Sequence, residues 1–131
     1  KYIGVSISVD DGVVLLTGKV NSPKTRVEVT RISWEPRGVV EVVNEIQVTE
    51  KSSIKDIAKD LAASTTIKGK LVADKNIKSV NFNIDVVNGI AYLSGVARTQ
   101  KEMNLVLAYT KETLYINQLV NYIQLSESLS Q

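Results

Sequence analysis

Neither cysteine nor histidine occurs in this chain of 131 residues. Without thiols there is no disulfide framework and no thiolate nucleophile or ligand. Without imidazole, the commonest general base and the commonest nitrogen ligand for metals are missing too. Aromatic residues make up 5% of the chain, with one Trp and one Phe, and there are two prolines. Sixteen basic residues meet 14 acidic ones, a net charge of +2. That balance, with no strongly basic run, carries no electrostatic footprint for nucleic acid. No apolar stretch approaches the roughly 20 residues that span a bilayer. Ser and Thr are present without a base constellation, and no Gly-rich phosphate loop occurs. These absences point away from an enzyme: no catalytic residue, metal site or cofactor is expected.

What remains is the balance of a folded protein, 44% hydrophobic and 23% charged. The chain opens at Lys1-Tyr2-Ile3-Gly4-Val5, already inside a strand-like pattern. It reads as a trimmed start, so targeting signals are expected to lie upstream.

The organising feature is an internal repeat. Ile7 to Gly18 matches Ile84 to Gly95, and Val43 to Val48 matches Val120 to Leu125, without a gap. Gly12 and Gly89, Gly18 and Gly95, and Asn44 and Asn121 are each 77 residues apart. In each copy an alternating strand (Val5, Ile7, Val9 in the first) leads to a hairpin signal, Asp11-Gly12 or Asn88-Gly89. A second strand follows, Val13 to Val20 or Ile90 to Ala97. Gly18 and Gly95 within it suggest a bulge or a close approach by a helix.

A helix comes next. Ser22 caps it in the first copy with Pro23 at the first helical position, and Thr99 to Glu102 offers a capping box in the second. The first helix is expected to end near Pro36-Arg37-Gly38, and the last strands to run from Val39 to Val48 and Ile116 to Leu125. Before the second copy lies a further helical stretch, about Ser53 to Ala73, with Ser53 and Asp56 to cap it. Ile54, Ile57, Ala58, Leu61, Leu71 and Val72 read as its core face, with Ile67 off that stripe. The fold class is therefore α+β: two tandem αββαβ units, residues 1–49 and 50–131, the first lacking its opening helix.

The spacing resembles the BON domain. Asp11-Gly12, Val14, Leu16, Gly18 and Val20 are followed by Gly38-Val39, Val42, Asn44, Ile46 and Val48 in the manner of that family. The second copy keeps Asn88-Gly89, Leu93, Gly95 and Asn121, but has Tyr115-Ile116 where Gly-Val is usual. The resemblance implies a periplasmic, outer-membrane-associated protein, its signal peptide and lipidated Cys upstream of Lys1. It further implies binding of anionic phospholipid by the second unit's opening helix, in support of outer-membrane integrity. The region of that contact is Ala62, Ala63, Ile67, Lys68, Lys70 and Leu71, although the expected lipid-facing aromatic corresponds to about Ala62.

Residue chemistry offers two candidate surfaces. Lys55, Lys59, Lys68, Lys70 and Lys75 accompany the apolar stripe, and an exposed Ile67 among them suits an interfacial helix. The bland alternative is a solvated lysine face with Ile67 packed on a neighbour. On the first unit's helix, Val29, Ile32, Ser33 and Pro36 read as core, and Val27 and Trp34, near Arg31, fall on the opposite side. That trio is a candidate partner-binding patch, or the place where the other unit packs. Envelope proteins are the partners such a scaffold would take. Asp10-Asp11 and Glu41/Glu45 are the acidic pairs that could serve as ion ligands, but turn chemistry accounts for Asp10-Asp11 and no EF-hand spacing occurs, so ion or osmotic-stress sensing is the least favoured function.

Overall fold

The computed structural model describes residues 2–49 and 54–126. Alternating apolar residues produce the first two strands, β1 (Tyr2–Asp10) and β2 (Val13–Val20), joined as an antiparallel hairpin. Helix α1 (Pro23–Ser33) crosses over, and β3 (Glu41–Val48) returns parallel to β2. After α2 (Ile54–Ala73) the path repeats as β4 (Phe82–Val87), β5 (Ile90–Ala97), α3 (Gln100–Lys111) and β6 (Gln118–Leu125). Each sheet has three strands, in the orders β1-β2-β3 and β4-β5-β6.

The repeat holds at the level of individual pairs. Ile7 faces Leu16 as Ile84 faces Leu93, and Val14 faces Val42 as Ala91 faces Leu119. Both hairpins turn through two residues of positive φ, Asp11 and Gly12 (53° and 80°) and Asn88 and Gly89 (50° and 79°). This is the primed geometry that matches strand twist. Gly18 and Gly95 are needed for a reason other than helix packing. With φ of 123° and 131°, a Cβ on either would overlap a carbonyl oxygen of the adjoining chain, Gly4 or Asn81. The close neighbour is therefore backbone beside the first strand.

The helix starts follow the expected chemistry. Ser22 Oγ accepts from Lys24 N at 3.2 Å, with Pro23 at the first turn, and Thr99 Oγ1 accepts from Glu102 N at 3.1 Å. The capping box is altered in the second unit. The buried Glu102 carboxylate turns away from the Thr99 amide and accepts from the backbone N–H of Arg98 and of Lys78, both at 2.8 Å, and from the Arg98 guanidinium. Burial is the largest single influence on its pKa and pushes it up. The Arg98 side chain and the two amides together outweigh that, holding the carboxyl below its ordinary value. Several ends are shorter than expected: α1 stops at Ser33, and β3 and β6 begin at Glu41 and Gln118. Ser53 lies outside the described residues.

Two cores result. The larger unites Ala63, Ile67 and Leu71 of α2 with Ile84, Val86, Leu93, Val106 and Ile123. The smaller contains Val14, Leu16, Val20, Trp34, Val42 and Ile46. Helix α1 lies between the units, packed on β2 and β3 on one side and reaching β4 and β5 on the other. Polar contacts fix this docking. Arg26 grips Asp85 with two hydrogen bonds of 2.8 and 2.5 Å, and Trp34 Nε1 donates to Asn83 Oδ1 at 2.7 Å. Asn83 Nδ2 in turn donates to the Val42 carbonyl at 2.9 Å. Val27 and Trp34 are both buried, Trp34 to 1% exposure in the first unit's own core, with its indole N–H reaching Asn83 of the second unit. The reading of Val27, Arg31 and Trp34 as an external partner patch is corrected accordingly. Arg31 is occupied as well, pairing with Glu28 and Glu35 and lying 5.6 Å from the Tyr122 ring centroid.

Candidate functional site

Helix α2 is oriented by a carboxylate. Asp60 accepts from the turn amides of Asn88 (2.8 Å) and Gly89 (3.0 Å), tying the helix to the β4–β5 hairpin. Residues three, seven and eleven positions further on, Ala63, Ile67 and Leu71, share the Asp60 side at about 100° per residue. They are the ones buried over β4. Asp74 and Lys70 fasten the other end to α3, Asp74 by accepting from the Tyr109 hydroxyl at 2.7 Å and Lys70 by pairing with Glu112 at 3.2 Å. The Tyr109 hydroxyl, followed by the Asn76 amide, lowers the Asp74 pKa.

This orientation corrects the expected site. Ile67 is core, so it cannot be the carbon inserted into a membrane, and Ala63 and Leu71 are buried with it. Lys70 is half-buried and paired; Ala62 and Lys68 are exposed. Residues assigned to the core face stand outside instead: Ile57, Leu61 and Val72 are large, apolar and exposed, and Ala58 is exposed too. The spacing of Asp60, Ala63, Ile67 and Leu71 carried this signal. A carboxylate in line with a run at i, i+4 and i+8 marks the anchored side better than total apolarity does.

On α2, Ile57, Leu61, Ser64, Lys68 and Val72 form one stripe, while Lys55 and Lys59, two positions from Ile57, lie on the other flank of the helix. The stripe borders a groove of about 710 Å³ between the units, whose other walls include Val27, Ile46 and Ile84. On the opposite flank the Lys59 ammonium lies 5.6 Å from the Tyr115 ring centroid. Tyr115 and the exposed Leu114 belong to the turn after α3, which abuts the β4–β5 hairpin: a Cβ on Gly89 would lie 3.1 Å from the Tyr115 carbonyl. Helix α2 thus carries exposed apolar side chains with Lys68 on the flank that borders the groove, and Lys59 on the flank that meets the Leu114–Tyr115 turn. Among the described residues no group of three or more acidic side chains is placed to hold a metal ion. None of the described helices is long and apolar enough to cross a membrane.

A family model described as BON domain matches residues 1–50 and 59–127. The chain is 41% identical over 128 residues to a protein of the gshII 5′ region of Anaplasma centrale, covering 97% of this chain and 85% of that one. It is 30% identical over 104 residues to osmotically-inducible protein Y of Escherichia coli, covering 78% and 52%. It is 33% identical over 94 residues to the outer membrane lipoprotein DolP of Haemophilus influenzae, covering 72% and 48%. The chain thus spans about half the length of the last two relatives.

Proposed function

The chain belongs to the BON domain family, and from that premise we propose that it is a non-enzymatic envelope protein that binds anionic phospholipid at a membrane surface. The observation that carries this reading is the exposed surface of α2, where Ile57, Leu61 and Val72 stand in one stripe with Lys68, and Lys55 and Lys59 occupy the other exposed flank. Such a surface supplies the two requirements of interfacial binding, carbon to insert and positive charge to attract headgroups. Each Lys close to an anionic surface contributes about 1 kcal/mol. A fully inserted Leu or Ile adds roughly 1.5–3 kcal/mol. The relative named as an outer membrane lipoprotein supports an outer-membrane address; action at its periplasmic side, in the service of envelope integrity, is part of this proposal.

Co-sedimentation with vesicles of defined composition, across a salt series, tests the reading. Binding to phosphatidylglycerol vesicles that weakens with salt, with little binding to phosphatidylcholine, is the expected result. Equal binding to both, or to neither, overturns it.

A second reading, a scaffold for envelope assembly or division proteins, draws on a different surface. Ile7 and Val9 on β1 are 61% and 66% exposed, an open apolar strip on the first sheet. Cross-linking from Val9 to an envelope protein, unaffected by Leu61→Asp, would favour it.

A further inference from the structure

At one place the two units differ in a way the fold does not require. The turn from α1 to β3 carries Arg37-Gly38, and the matching turn from α3 to β6 carries Leu114-Tyr115. Both turns take the same left-handed backbone, with φ of 86° at Gly38 and 74° at Tyr115. Glycine adopts that conformation without steric penalty, whereas a bulky aromatic residue is strained in it. The hydrogen bonding is the same on both sides: Val40 N donates to the Gly12 carbonyl and Asn117 N to the Gly89 carbonyl, each at 2.8 Å. Nothing in the backbone plan therefore calls for Tyr at 115. Nor does the core, since Leu114 is 73% exposed and Tyr115 44%. Strain kept at an exposed position marks it for function.

The chemistry of the turn suits a lipid headgroup layer. Tyrosine has an apolar ring and a polar tip and settles at the membrane–water boundary, and Leu114 supplies carbon that goes deeper. The ring also meets the Lys59 ammonium of α2, so a cation is held at the level of the aromatic group.

Resting on the phospholipid reading above, we infer that the Leu114–Tyr115 turn is a second membrane-contacting element, which inserts into an anionic phospholipid surface beside the first half of α2. The turn and the apolar stripe, on the two flanks of α2, then form a two-point contact that sets the orientation of the second unit on the bilayer, with Lys59 on the side of the turn.

The test gives the second unit a turn without its apolar side chains: Leu114→Ser with Tyr115→Gly in the full chain, measured by phosphatidylglycerol vesicle binding and by thermal melting. The double variant is expected to bind roughly tenfold more weakly or worse, with Tm unchanged or raised because Gly relieves the strain. Tyr115→Trp is expected to retain binding, its emission shifting to the blue when vesicles are added over the constant background of buried Trp34. If the parent chain fails to bind these vesicles, the phospholipid reading falls and this inference with it. If the parent binds and the folded double variant binds equally well, the inference is overturned and the reading through α2 stands. A fall of several degrees in Tm for the double variant would make the turn a structural element and would equally overturn it.

Discussion

In the second unit Ile84 and Val86 lie buried under α2; in the first, Ile7 and Val9 hold the same register positions and stand open to solvent. The strands pair identically and alternate identically, so strand pattern alone does not set burial. What differs is the element laid across the outer strand. The helices differ the other way round. Helix α3 buries Met103, Val106 and Thr110 along one side. Helix α1 lies between two sheets, and Val27 and the Trp34 that caps it are buried where α3 has Asn104 and Lys111 at the matching positions. Copies of one unit become distinct through what each is packed against.

Four tests sharpen this comparison. The largest effect is expected at Ile67, which the amphipathic pattern would leave outside and Asp60 turns inward. Ile67→Asp places an unpaired carboxylate in the larger core and should remove about 4 kcal/mol or more, unfolding the second unit in urea titrations. Leu61→Asp, on the same helix, should leave stability within about 0.5 kcal/mol. Equal destabilisation by the two changes would refute the assigned orientation of α2.

Next is Trp34. Truncation to Ala should cost about 3–5 kcal/mol, as for other buried aromatic residues, and leave Asn83 without its indole donor. Its counterpart in the second unit, Lys111, is exposed, and Lys111→Ala should be nearly neutral. Chemical denaturation of both variants checks the asymmetry, and a harmless Trp34→Ala would refute the place of the indole in the smaller core.

Glu102 follows, with Thr25 at its matching place in the first unit. Glu102→Ala leaves the Lys78 and Arg98 amides unpaired, worth about 2–4 kcal/mol. A pH dependence accompanies it. The folded-state pKa is lowered, so the stabilisation is fully present above the ordinary value of 4.5 and is lost as pH falls through the folded value. Melting curves between pH 7 and pH 3 should show the parent losing stability at the acid end by more than Glu102→Ala does. Parallel curves would remove Glu102 as the source.

The smallest effect belongs to the open face. Ile7→Ser should change stability by about 0.5 kcal/mol or less, while Ile84→Ser should cost several times more. A large loss at Ile7 in the isolated chain would show that the β1 face is covered in solution.

Much of this plan was legible in advance. The 77-residue repeat, the paired hairpins at Gly12 and Gly89, and the caps at Ser22 and Thr99 all follow from local requirements, such as positive φ or an oxygen facing a free amide. The candidate site was half legible. The lysines of α2 and the departure at Tyr115 could be seen, but Ile57, Leu61 and Val72, read as core, are exposed, and Ile67, read as exposed, is core. Helix α2 has apolar residues on more than one side, and the turn amides that choose between them, those of Asn88 and Gly89, are close only after folding.

By itself, then, the sequence determined which segments become strands and helices, where they turn, and that one unit occurs twice. These properties depend on each residue and its near neighbours in the chain, which periodicity and backbone preference record. The tertiary structure alone decided which side of α2 is buried, that Trp34 is buried and reaches Asn83, and that Ile7 and Val9 stay open. Burial belongs to a surface and its neighbour together, and the neighbours here come from residues far apart in the chain: Trp34 against Asn83, Arg26 against Asp85, Asp60 against Gly89.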